Sequence, residues 1–119
     1  MPLEPREIQA FEDMLRFGSD AVGYVECMDF ETFAADHRTH QATMYAIATV
    51  AEASRRLSAE RQMQWPDIPW PMMRGMRNIL MHEYGRVDLP TVYRVATVDL
   101  PELLERVRGI LGRPPPNTT

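Results

Sequence analysis

The sequence predicts an all-α fold, an up-and-down helical bundle with one short additional helix. Three observations carry this: apolar residues recur at helical spacings of three and four, no stretch alternates apolar and polar residues as a strand would, and Asp, Gly and Pro stand at the breaks between periodic runs. With 119 residues, 45% of them hydrophobic, the chain suits one domain, a size that buries roughly two-thirds of the unfolded-state surface. The expected domain covers residues 1–112. Residues 113–119, Arg113-Pro114-Pro115-Pro116-Asn117-Thr118-Thr119, read as a flexible Pro-rich tail.

Taken in order, residues 1–5 with Pro2 and Pro5 form a frayed entry to a first helix from about Arg6 to Met28. Its apolar stripe is Phe11, Leu15, Gly18, Val22 and Val25, and Gly18 and Gly23 are either weak points or sites of close packing. The lone Cys27 cannot form an internal disulfide and is expected as a small core residue. Asp29 is a candidate N-cap, because its carboxylate can accept from the free amides of a helix start. Helical pattern continues from Phe30 to about Arg61 with a break near Asp36, and Met44, Ile47, Ala51, Ser54 and Leu57 make its buried stripe.

Pro66, Pro69 and Pro71 exclude interior helix over residues 64–71. In that loop Trp65 and Trp70 should pack against the core, base stacking by one of them being the functional alternative. Pro71 suits the first turn of the next helix, which should end at Tyr84 with Gly85 as a left-handed stop, and whose Ile79 and Leu80 should face the core. Asp88-Leu89-Pro90 opens a short helix to about Thr97. Asp99-Leu100-Pro101 opens the last, with Leu103, Leu104, Val107, Ile110 and Leu111 buried.

No run of about 18 apolar residues could cross a bilayer and no charged-then-apolar leader begins the chain, so the expectation is a cytoplasmic protein with no membrane partner. A net charge of −4 argues against gripping nucleic acid over the whole surface. The distribution is more telling. Residues 70–86 hold Arg74, Arg77 and Arg86 against Glu83, which is +2 and leaves −6 for the rest. A local cationic patch on an acidic body suits a small phosphate-handling site, although chance clustering among 13 arginines could produce the same arrangement.

That patch contains the densest chemistry in the chain, Arg77-Asn78-Ile79-Leu80-Met81-His82-Glu83-Tyr84. On a helix Asn78 and His82 are four apart on one face, while Arg77 and Tyr84 are seven apart on an adjacent one. Elsewhere, Glu52 lies between the small Ala51 and Ala53, where a partly buried carboxylate needs a partner; Arg77 is the candidate and a solvated glutamate the alternative. His37 and His40 are three apart, but with no Cys or third His nearby they do not make a metal site, and none is expected.

Arg-x-x-x-x-His-x-Tyr with Asn directly after the Arg resembles the HEPN superfamily of small helical RNases, and within it the HepT-like toxins of prokaryotic toxin–antitoxin pairs. The resemblance extends over Trp70-Pro71 through Val87-Asp88, over Ala51-Glu52-Ala53 against a Gly-Glu-Ala stretch, and over Leu100-Pro101-Glu102-Leu103 at the start of the last helix. Ala51 in place of Gly, and Gly85-Arg86 in place of an aromatic-Gly pair, depart from the pattern beside the site rather than in it.

RNA cleavage without metal needs groups to take the 2′-hydroxyl proton and to protonate the leaving oxygen, with positive charge for the phosphorane. His82 can serve as base or acid. Arg77 can fork onto phosphate oxygens, with Asn78, Glu52 and Arg74 in support. One chain supplies one strong proton-transfer group, whereas a two-fold dimer would bring two copies into one cleft. The resemblance implies that homodimer, an RNA substrate, no cofactor, and a type VII toxin neutralised by an MNT-type nucleotidyltransferase antitoxin that adds AMP to Tyr84. The rival reading is a non-catalytic dimeric helical module that binds a nucleotidyltransferase or a nucleotide.

Overall fold

Helix α1 (Pro5–Val25) starts with its proline in the first turn, where the missing amide costs nothing, and Glu7 reaches back to accept from the Glu4 amide at 2.9 Å. Pro5 therefore belongs to the helix rather than to a frayed entry. The chain is described here from a computed structural model over residues 2–82 and 88–113, with the backbone alone for 79–82. The expected tail at 114–119, together with Tyr84 and Gly85, lies outside the described residues, as do the side chains of Ile79, Leu80 and His82.

Phe11, Gly18 and Val25 are buried as the spacing requires, but Met14 and Ala21 complete the stripe while Leu15 and Val22 flank it. The helix stops three residues earlier than the pattern suggested. Cys27 takes a positive φ of 65° and is exposed, correcting its expected place in the core. At Gly18 an added Cβ would stand 2.6 Å from the Leu104 side chain, so this glycine is a close-packing site.

Two short-range caps divide the next stretch of chain. Asp29 accepts from the Thr32 amide at 2.8 Å to start α2 (Phe30–Ala35), and Asp36 accepts from Thr39 at 3.0 Å to start α3 (His37–Ser54). The helical run expected to reach Arg61 ends at Ser54 instead. The Arg55, Arg56 and Leu57 amides tighten onto the Glu52, Ala53 and Ser54 carbonyls, and Gln62 Nε2 also donates to the Ser54 carbonyl at 3.2 Å. Ser58 then caps the single turn α4 (Ala59–Gln62). Met44, Ile47, Ala51, Ser54 and Leu57 are all buried, so the stripe survives the break.

The loop before α5 (Trp70–His82) packs as expected: Trp65 meets the Phe11 ring edge-on at 5.3 Å, and buried Trp70 donates its indole N–H to the Trp65 carbonyl. The two helices expected after Asp88 form one rod. Helix α6 (Leu89–Arg94) runs through a π turn (Val95–Asp99) into α7 (Leu100–Leu111). Pro101 has no amide to continue the ladder, and the Leu100 amide bonds five residues back to the Val95 carbonyl. Asp99 caps nothing; its Oδ2 is buried without a hydrogen bond among the described residues, 3.8 Å from Arg94.

Helix α1 packs on α3 and α7, and α5 packs chiefly on α3, giving an all-α bundle with α5 at its edge. Tyr93 pins α6 over the α1–α2 turn by donating to the Met28 carbonyl at 2.6 Å and packing on Phe30 and Phe33. Leu103, Leu104 and Val107 are buried and Ile110 and Leu111 half-buried. Among the described residues there is no strand, and no helix is long and apolar enough to cross a membrane.

Candidate active site

Helix α5 buries Met73 and Met76, three apart, against α3. That choice of inward face leaves Arg74, Gly75 and Asn78 exposed and holds Arg77 at the margin. The direction of α5 against α3 follows from two pairs. Arg74 approaches Gln62, which is bonded to Ser54 at the end of α3, and Arg77 donates to Glu52 two residues earlier in α3. Advancing along α5 thus means retreating along α3, and the helices are antiparallel.

The Arg77 Nε–Glu52 Oε2 hydrogen bond is the centre of the site: Glu52 has the expected ion pair with Arg77, but its side chain is 55% exposed, so the carboxylate is a solvated surface group as well as a paired one. Its hydrogen bond from Arg77 holds the Glu52 carboxyl below the usual carboxylate range, with Arg55 adding to the effect from 3.4 Å. Glu52 is in turn an orienting group for Arg77. A side chain with several rotatable bonds is thereby fixed at its Nε. Arg77 Nη1 lies 3.5 Å from Asn78 Oδ1, the limit of a hydrogen bond, so Asn78 is beside the guanidinium. Arg74 stands one turn away, 3.5 Å from Gln62.

His82 is on the same helix five residues after Arg77, about 7.5 Å further along the axis at the ordinary rise per residue, and four after Asn78. Its ring and the whole of Tyr84 lie outside the described residues. The four expected residues that can be placed in full, Glu52, Arg74, Arg77 and Asn78, fall along one stretch of the α3–α5 seam. His37 and His40 meet edge-to-face at 5.0 Å near the start of α3, and among the described residues no group of three or more His, Cys, Asp or Glu is placed to hold a metal.

The family model described as "Ribonuclease HepT-like" matches residues 8–110, which takes in both the helical core and the whole Arg77–Tyr84 motif. The chain belongs to the HepT-like family. Among its relatives, "Putative RNase MJ1380" of Methanocaldococcus jannaschii is 27% identical over 88% of this chain and 97% of its own length. "Putative RNase MJ0125" of the same organism is 29% identical over 89% and 92%. "Probable ribonuclease HepT" of Thermococcus cleftensis is 34% identical over 62% and 67%. No solved structure gives a significant match.

Two contributions were missed by sequence reasoning. Arg55 reaches the same Glu52 carboxylate, a spacing of three on a helix that could have been noticed. Tyr45 is 70% exposed on α3, seven residues before Glu52 and so on the same face. Its neighbours in the bundle leave it uncovered, which spacing alone cannot reveal.

Proposed function

We propose that this HepT-like protein is a metal-independent ribonuclease toxin of a type VII toxin–antitoxin system, working as a homodimer with its two α5 helices facing one cleft. The observation that carries the reading is the Glu52-oriented Arg77 at the start of the motif in the second half of α5, in a chain matched by the HepT-like family over residues 8–110. The dimer is supported by the edge position of α5, by the exposed Tyr45 on the neighbouring face of α3, and by the single imidazole in each motif.

In the cleft, one His82 takes the proton from the ribose 2′-hydroxyl as the 2′-oxygen attacks phosphorus. The bond from phosphorus to the 5′-oxygen breaks, and a proton from the second imidazole leaves with that oxygen. Arg77 forks onto the non-bridging oxygens as charge gathers there. Asn78 orients the imidazole or the ribose, and Arg74 adds positive potential at the approach. An MNT-type nucleotidyltransferase antitoxin adds AMP to Tyr84, putting a bulky anion on the motif that carries Arg77. At about 5 Å and an effective dielectric near 20 its charge interacts with each neighbouring unit charge by on the order of 3 kcal/mol. That draws Arg77 from substrate and repels the RNA phosphate.

Purified protein should cut RNA in the presence of a chelator, and His82→Ala should cut about 10²–10⁴-fold more slowly while staying folded. Wild-type activity in His82→Ala, or its unfolding, rejects the assignment. A folded dimer that binds the transferase and leaves all RNA intact favours the non-catalytic module. With ATP and the neighbouring transferase, mass should rise in steps of one AMP with loss of cleavage, and Tyr84→Phe should show neither change.

A further inference from the structure

Beside the candidate site, between the start of α1 and the turn after α3, lies a basin of about 440 Å³ walled by Arg6, Arg55, Arg56 and Arg61 with Glu4 and Glu7. Four guanidinium groups face two carboxylates there. Arg61 is spent on Glu7, which it binds through Nε and Nη2, and Arg56 pairs with Asp13. Arg6 is different: it is exposed, and among the described residues it makes no hydrogen bond or ion pair. Arg55 holds Glu52 through one nitrogen only, at 3.4 Å, with both side chains about half exposed, a loose pair that competes poorly with a phosphate. Glu7 is already bound by Arg61, and the pull of Arg6 on its carboxyl is the weakest of those acting on it, so Arg6 is left chiefly against Glu4 on a wall where arginines outnumber carboxylates.

The position of the basin decides what it is for. Arg55 belongs to its wall and also touches Glu52, whose other oxygen takes Arg77. The basin is therefore linked to the motif helix through a single carboxylate that both arginines share. We propose that Arg6 and Arg55 form a phosphate-binding subsite for the RNA strand where it leaves the Arg77 site, gripping a backbone phosphate away from the bond that is cut. This rests on the proposed RNA substrate. A neutral or basic ligand would find no complementary charge here, whereas a polyanion passing Arg77 meets further guanidinium groups in this basin. Binding of this kind neutralises phosphate charge without reading bases, so it adds affinity for long RNA and no sequence preference.

The test is the salt dependence of binding to a single-stranded 2′-O-methyl RNA, which cannot be cut, together with cleavage of a dinucleotide and of a long oligomer. Arg6→Gln should lower the slope of log affinity against log salt by about 0.7 for each phosphate that the variant no longer neutralises. It should raise KM for the long oligomer severalfold and leave dinucleotide cleavage unchanged, while Arg6→Lys keeps the slope. Arg38→Gln, an exposed cation near the opposite end of α3, controls for net charge. An unchanged slope in Arg6→Gln, an equal drop in Arg38→Gln, or equal losses on both substrates overturns the subsite. Wild type that binds RNA with the expected slope but does not cut it removes the catalytic reading and leaves the subsite standing. Wild type that neither binds nor cuts removes both.

Discussion

Glu7–Arg61 and Glu52–Arg77 join the same two residue types across the bundle, and their surroundings give them different work. The Arg61 and Glu7 side chains are 13% and 9% exposed, and all three Arg61 nitrogens are engaged: with both Glu7 oxygens, with Gln64 and with the Pro2 carbonyl, under a cation–π contact to Trp65. Arg77 and Glu52 are 22% and 55% exposed, and among the described residues Arg77 meets only Glu52 and Asn78. A guanidinium whose three nitrogens are all engaged is a clamp. One that is held firmly at Nε, with only a marginal contact at Nη1, is oriented and still has donors to offer a phosphate.

The sharpest way to break this comparison is to swap each arginine for lysine. Arg77→Lys should lower RNA cleavage by about 10²–10³-fold, the worth of one transition-state donor, with no change in Tm. Arg61→Lys should do the reverse, lowering Tm because one ammonium cannot replace the fork on Glu7, and leaving the rate constant for cleavage of folded protein near wild type. Loss of activity from Arg61→Lys with Tm intact would show that the clamp is part of the site.

A smaller effect is expected from acid. Hydrogen bonds from Arg61 hold the Glu7 carboxyl below its ordinary value of 4.5, and Arg77 does the same for Glu52. A carboxyl whose pKa is lower folded than unfolded contributes stability above the unfolded value, and that contribution is lost as the pH falls through the folded value. Both pairs are thus intact at neutrality and fail on acidification below 4.5. Glu7→Gln should lower Tm at neutral pH and converge with wild type in acid. Glu52→Gln should track wild type closely throughout, because solvent already screens that carboxylate. Thermal melts from neutrality to about pH 3 would show which pair carries the acid limb. Equal effects of the two variants would mean that exposure does not separate them.

Much of this fold is local, and local features were readable. Asp29 and Asp36 cap helices because a carboxylate two or three residues before an amide needs only the first turn to reach it. The apolar stripe of α3 and the packing of Trp65 and Trp70 follow from spacing and prolines in the same way. Cys27 and Asp99 were misplaced for the complementary reason. Whether a chain turns left-handed after Val25, or carries a rod through a π turn before Pro101, depends on the surfaces against which Tyr93, Leu104 and their neighbours pack.

By itself the sequence determined that the chain is helical, where its proline loop lies, and that arginine, asparagine, histidine and tyrosine share one helix in the order of the HepT-like family. Periodicity and motif order are properties of neighbours along the chain. Only the tertiary structure decided which glutamate meets which arginine, since Glu7 and Arg61 are 54 residues apart and Glu52 and Arg77 are 25 apart. It also brought Arg6 beside Arg55 to make a cationic basin. Those pairings depend on which helix faces are buried, and burial is a property of the whole packed molecule.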